Sequence, residues 1–186
     1  ENCMQAYLTD GTLPTYFDNG KKSGEVTYKN SQRHGLWTKW YENGNLKSEK
    51  RFKNDKLHGK SIAWYENGLL FKESFYQNGK AEGLHSLWNE DGTLLRKIIW
   101  KNNQFDGEIL RWYDNGQMRQ KSFYKNGKIE GKSIGWYENG QKHFEDNYED
   151  GLLDGCSVTF RENGSKRKEE NYKHGFCWNR TNHVEG

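Results

Sequence analysis

Proline occurs once in the 186 residues, as Pro14, and cysteine three times, as Cys3, Cys156 and Cys177. A lone proline excludes a Pro-rich linker or stalk. The cysteines make no Cys-x-x-Cys pair and have no His at zinc-type spacing, so no metal site is expected. Their odd number leaves at least one thiol unpaired in a monomer, and a bond between the other two stays open. Hydrophobic residues are only 32% of the chain against 30% charged, too few for an ordinary globular core. No apolar run approaches the ~18 residues of a membrane-spanning helix. Also missing are a Gly-x-x-x-x-Gly-Lys-Ser/Thr loop, a Gly-x-Ser-x-Gly elbow and a His-Glu-x-x-His helix, the better-marked signs of nucleotide, hydrolase and zinc-protease sites. The expectation is a protein that is not an enzyme, with no catalytic residue and no cofactor.

Charge of one sign is scarce as well. The net +3 is the difference between 29 basic and 26 acidic residues spread along the chain, unlike the clustered lysines and arginines of nucleic-acid binders. No nucleic-acid partner is expected. The chain starts at Glu1, where a translated chain starts with Met, and export or a place in the cell envelope is the expectation drawn from that.

What the chain does have is 8 Trp, 11 Tyr, 9 Phe and 21 Gly. Disordered chains are poor in aromatics, and each ring can bury roughly 150 to 250 Å², so the aromatics are the stabilising material and the glycines mark tight turns. The order in which they occur is periodic. Asx-Gly ends a short aromatic segment at Gly20, Gly44, Gly68, Gly92, Gly116, Gly140 and Gly164, always at an interval of 24. A second series, Gly11, Gly35, Gly59, Gly83, Gly107, Gly131 and Gly155, keeps the interval, and so does an all-aromatic one, Tyr28, Phe52, Tyr76, Trp100, Tyr124, Tyr148 and Tyr172. Seven repeats in unbroken register thus cover about residues 9 to 176.

Each repeat has a second turn signal, Asn78-Gly79, Asn126-Gly127 or Asp150-Gly151, degraded elsewhere to Asn54-Asp55. Two turns imply two strands, and Asn-Gly suits a type I′ hairpin turn, which needs positive φ at both central residues. The runs between turns are too short for helices. The fold class expected is all-β: an elongated single domain, residues 1 to 186, of tandem antiparallel β-hairpins with a short N-terminal cap and a C-terminal closing tail. Strands ~4.8 Å apart would make a twisted sheet roughly 65 to 70 Å long. Alternation sets Leu36, Thr38 and Trp40 on one face and Trp37, Lys39 and Tyr41 on the other. The companions of the later tryptophans, Ile62, Leu110 and Ile134, point to the Trp40 face as the core. Phe176, Cys177 and Trp178 are expected to close that core, with a mobile tail after Asn179.

These residues resemble the MORN repeat family, its bacterial variant in particular. Tyr124-Lys125-Asn126-Gly127-Lys128-Ile129-Glu130-Gly131 followed by Trp136-Tyr137-Glu138-Asn139-Gly140 is the closest stretch, and Trp64-Tyr65-Glu66-Asn67-Gly68 repeats its second part. The resemblance implies strings of β-hairpins used in protein association, lipid contact in some members, an antitoxin-like label on some bacterial ones, and no common enzyme activity.

His34 and His58 share a repeat position with Glu82, Asp106, Glu130 and Asp154; a position filled in every repeat reads as turn chemistry, not as a catalytic base. The recurring Glu25, Glu49, Glu73, Glu145 and Glu169 read as charges facing lysines across the sheet instead of a glycosidase pair. The series Tyr41, Tyr65, Tyr113 and Tyr137 is the candidate binding set, since tyrosines at regular intervals on a sheet are amphipathic contact residues, with packing as the competing role. The function expected is a non-catalytic scaffold that binds another protein through its extended surface. Three alternatives stand beside it: carbohydrate or cell-wall binding, suggested by the Trp-Tyr repeats; toxin neutralisation, as in an immunity protein; and contact with an anionic membrane surface through Ser165-Lys166-Arg167-Lys168, a patch that Glu169 and Glu170 largely cancel. Oligomeric state is open.

Overall fold

A computed structural model describes residues 10–184 of the chain. Every regular element among them is a β-strand, as the short intervals between turns require. The fold partitions into two compact units. One holds the described residues up to Gly83 together with Glu90–Gly92, and the other holds Leu84–Asn89 and the described residues from Thr93 onward.

In the first unit, β1 (Gly11–Tyr16), β2 (Lys22–Lys29), β3 (Gln32–Trp40), β4 (Leu46–Lys53), β5 (Lys56–Trp64) and β6 (Leu70–Gln77) follow one another as an antiparallel meander. Strand β7 (Lys80–Trp88) has residues in both units. The second unit continues with β8 (Leu94–Lys101), β9 (Gln104–Trp112), β10 (Met118–Lys125), β11 (Lys128–Trp136) and β12 (Lys142–Glu149). It ends with the two-residue β13 (Leu152–Leu153), then β14 (Gly155–Phe160), β15 (Lys166–Lys173) and β16 (Phe176–Asn182).

The two turns of a repeat differ, which the common Asn-Gly signal conceals. In the turn between β10 and β11, Asn126 and Gly127 have φ of 50° and 81°, as type I′ geometry needs; Asn30-Ser31, Asn54-Asp55 and Asn102-Asn103 also hold two positive values without glycine. The other Asn-Gly is a wider loop. There only the glycine, such as Gly44 at φ 91°, is left-handed; Gly44 N donates to Tyr41 O at 3.0 Å and Tyr41 N to Asn45 O at 2.8 Å. The asparagine instead bends the loop with its side chain: Asn43 Oδ1 accepts from Asn45 N at 2.9 Å.

The second glycine series is not a turn series, contrary to the reading from sequence. Gly59 lies inside β5 at φ 94°, where the pairing with β4 slips between Lys50 and Phe52. It is a bulge glycine. The positive φ keeps the position glycine; at Gly107 an added Cβ would in addition stand 3.0 Å from Ile99 Cβ.

Residues directly opposite share a face, which locates the core. Ile98 pairs with Ile109, Ile109 with Ser122, Phe52 with Leu57, and Trp37 with Lys50. Phe52, Ile98 and Ile109 are buried there, with Ser122, Ser133 and Ser157 beside them. This is the face of Trp37 and Tyr41. Trp40, Trp64, Trp112 and Trp136, expected to be the core, are only half-buried. Serine suits the crowded positions because it is small; Ser122 and Ser133 also satisfy each other, Oγ to Oγ at 2.7 Å, whereas the buried Ser74 hydroxyl has no partner among the described residues.

The C-terminal strand also departs from expectation. Phe176 and Trp178 are 80% and 68% exposed, and the chain past Asn179 stays paired, with Asn182 opposite Lys168. Among the described residues β16 pairs with β15 alone, and no strand lies on its other side to cover these rings. Cys156 and Cys177 are free thiols, and Cys3 lies outside the described residues.

Candidate binding surface

The loop ends of successive repeats are tied by side chains to backbone one repeat further on. Tyr41 donates its hydroxyl to Trp64 O at 2.9 Å, Tyr113 to Trp136 O at 2.7 Å and Tyr137 to Phe160 O at 2.8 Å. The loop asparagines do the same with their amides: Asn43 to Glu66 O at 3.0 Å, Asn115 to Glu138 O at 3.2 Å and Asn139 to Glu162 O at 3.1 Å. One asparagine therefore bends its own loop and fastens the next. In the repeat that lacks it, Asn89 takes over the bending role, accepting from Thr93 N at 2.9 Å.

The candidate tyrosines thus have structural work already. Their rings are half-buried and covered on one side, Tyr41 by Lys47 at 5.0 Å, Tyr65 by Phe71 at 5.0 Å, Tyr113 by Arg119 at 5.6 Å and Tyr137 by His143 at 4.3 Å. Any contact with a ligand is left to the remaining ring surface. Burial raises the pKa of Tyr65 above the ordinary phenol value, so it stays a neutral amphipathic group at physiological pH.

At the other turns the polar residue before each bulge glycine holds the next type I′ turn. Asp150 N donates to Glu130 Oε2 at 3.0 Å and His174 N to Asp154 Oδ2 at 3.0 Å, and His34 Nδ1 lies 3.3 Å from Asn54 Oδ1. This is the turn role expected of His34 and its equivalents. A backbone bond doubles it, such as Gly151 N to Ile129 O at 3.0 Å. The recurrent glutamates face lysines, as in Lys60–Glu73 at 2.8 Å and Lys132–Glu145 at 2.5 Å. Lys132, and after it Lys142, hold the Glu145 carboxyl below its ordinary pKa. These are solvent-screened pairs of modest worth.

Glu149, Asp154 and His174 bring their ligating atoms within 4.8 Å of one another. Asp154 is already engaged there by His174 N and by Lys173 Nζ at 3.1 Å, and the group is explained as a turn clasp. Cys156 has its thiol pKa pushed up by burial first and by Glu169 next, the opposite of what a nucleophile needs.

Two surfaces remain open. On the face opposite the buried serines, Phe75 in the first unit and Ile99 and Phe123 in the second, all at one repeat position, are 45%, 37% and 43% exposed. On the serine face of the second unit, a groove of about 610 Å³ is lined by Leu87, Leu95, Arg96, Arg111, Trp112 and Tyr113 together with Asp114, Arg119 and Glu138. Sequence reasoning singled out Tyr113 but neither Arg96 nor Arg111. They occupy positions held by Lys72 and Gly135 in other repeats, and only the strand register sets them opposite each other.

A search of curated proteins finds no match to the chain. The family model described as the MORN repeat variant matches residues 9–30, 33–54, 57–78, 105–126, 129–150 and 153–174. The stretch between the third and fourth matches is the one in which Asn89 replaces the usual loop residue. Repeats of this family are generally associated with binding and scaffold roles and are generally non-catalytic. Matched over well more than half its length, in a register that coincides with its hairpins, this chain belongs to the MORN repeat family.

Proposed function

We propose that this protein is a non-catalytic scaffold that binds another protein on its repeat surface. The observation that supports this best is the exposed apolar row. Within the second unit Ile99 and Phe123 recur at one repeat position and are 37% and 43% exposed, while only 32% of the chain is hydrophobic. A protein so poor in apolar residues loses stability by leaving large ones outside, and repeated exposed rings and branched chains suit the buried centre of a protein interface. The half-buried tyrosines Tyr41, Tyr65, Tyr113 and Tyr137 act as contacts on the opposite face through the part of each ring that solvent reaches.

The test is affinity purification from the source cell with the full chain as bait, compared with Ile99→Lys combined with Phe123→Lys. The expected result is a saturable protein partner whose recovery falls at least about tenfold with the double variant, the effect of losing central apolar contacts. Equal recovery by both baits excludes the row as the interface, and no specific partner for the wild-type chain counts against the reading as a whole.

A further inference from the structure

Arg96 on β8 and Arg111 on β9 stand directly opposite each other on the serine face. Like charges directly opposite destabilise an antiparallel pair. On the other face of β9 the charges are matched, Glu108 pairing with Lys121 of β10 at 2.7 Å. Neither arginine has a carboxylate partner among the described residues. Arg111 is steadied only by a neutral group, its Nη1 donating to Gln120 Oε1 at 2.9 Å. The guanidinium pair therefore retains donors for an anion, within the groove already described.

We infer that this groove holds an acidic segment of a partner protein, a carboxylate side chain engaging Arg96 and Arg111 while a neighbouring apolar side chain packs on Leu87 and Leu95. The inference rests on the protein-binding reading and names the partner's chemistry. Guanidinium groups match a carboxylate in two parallel hydrogen bonds. The apolar walls give the same ligand a hydrophobic contact that a free anion would not use. Asp114 and Glu138, which also line the groove, repel a ligand that is anionic along its whole length, which disfavours nucleic acid and polyphosphate. Arg111 is half-buried, so a flat anionic bilayer reaches it less readily than an extended chain lying in the groove.

The test uses the full chain and a fluorescein-labelled peptide of alternating glutamate and leucine, read by anisotropy. A lysine–leucine peptide and phosphatidylserine vesicles form the other arms. Saturable binding of the acidic peptide alone is expected, weakened by added salt and by about tenfold or more in Arg96→Gln with Arg111→Gln. Because that variant removes a like-charge pair, its thermal midpoint is expected to hold or rise. Arg96→Lys with Arg111→Lys keeps the charge and loses the planar fork, and is expected to bind several-fold more weakly. Full-strength binding by either variant overturns the inference, and so does binding to vesicles without binding to the peptide. Capture of a cellular protein equally well by the wild-type chain and the Gln variant would overturn the groove while leaving the protein-binding reading in place.

Discussion

Glycines that look equivalent in the repeat do different things, and substitution separates them. Gly116 has φ of 81° and nothing within 4 Å of an added Cβ, so Gly116→Ala meets backbone strain alone, about 1 to 2 kcal/mol. Gly107, at φ 136°, would in addition press its Cβ onto Ile99, and Gly107→Ala is expected to cost about 2 to 5 kcal/mol in urea unfolding. Gly135 is a third case. It has no left-handed backbone, yet an added Cβ would fall 2.1 Å from Phe144 Cε1 across the strand pair. The ring fills the space that Arg111 occupies one repeat earlier. Gly135→Ala should destabilise by about 1 to 3 kcal/mol, and combining it with Phe144→Leu should recover part of the loss. Additive effects in that double-mutant cycle would refute the fit.

At the scale of the hairpin, stability resides in the clasps between repeats more than in surface charge. Tyr113→Phe removes the hydroxyl bond to Trp136 O and is expected to cost about 0.5 to 1.5 kcal/mol. Asn115→Ala removes the amide bond to Glu138 O and the acceptor for Gln117 N, so its loss of denaturation midpoint should be larger. Breaking the Lys60–Glu73 pair should cost under about 1 kcal/mol. The last strands add a pH dependence with two opposed parts. Glu170 is buried, and its carboxyl is held below the ordinary range by Lys168 first, against burial, and then by Arg180. It contributes stability that is present above the ordinary glutamate range and lost as pH falls through its depressed value. Asp146 has its pKa raised by burial, although Ser157 donates to it at 2.6 Å. Its contribution is present below the ordinary aspartate range and lost as pH rises through the elevated value. Glu170→Gln should flatten the acid limb of a thermal-midpoint profile, and Asp146→Asn should raise the midpoint at neutral pH. Parallel profiles for both variants and wild type would refute the assignment.

For the molecule as a whole, the 24-residue period makes length modular. Removing residues 117–140 joins Gly116 to Gln141, which stand in the same relation as the residues they replace. The shortened chain is expected to fold with unchanged strand content and with a urea m-value lower by about one seventh, since m scales with the surface exposed on unfolding. Removing residues 117–128 alone deletes one strand and its turn. The strands left adjacent in the chain would then run parallel, which needs a long crossover connection, and unfolding or aggregation is expected. Circular dichroism of the two deletions separates these outcomes.

Period, strand number per repeat and family were legible in the residues because they are local. Two turn signals in every 24 residues leave a hairpin as the only element that fits, and the turn role of His34, Glu130 and Asp154 followed from their recurrence. The buried face was not legible. Ile62 and Leu110 beside the tryptophans look more apolar than Ser61 and Arg111, yet Ile98, Ile109, Ser122 and Ser133 lie on the side with more buried residues, while the Trp40 side buries Thr38 and Ser86. Burial on one face of a sheet depends on which side chains the strand register sets against one another, and small serines fit where larger neighbours crowd in. The bulge at Gly59 and Gly107 shifts the pairing within each strand in a way that alternation alone does not reveal. Nor could spacing along the chain set Arg96 against Arg111, since a contact between side chains on two strands exists only once the register between those strands is set.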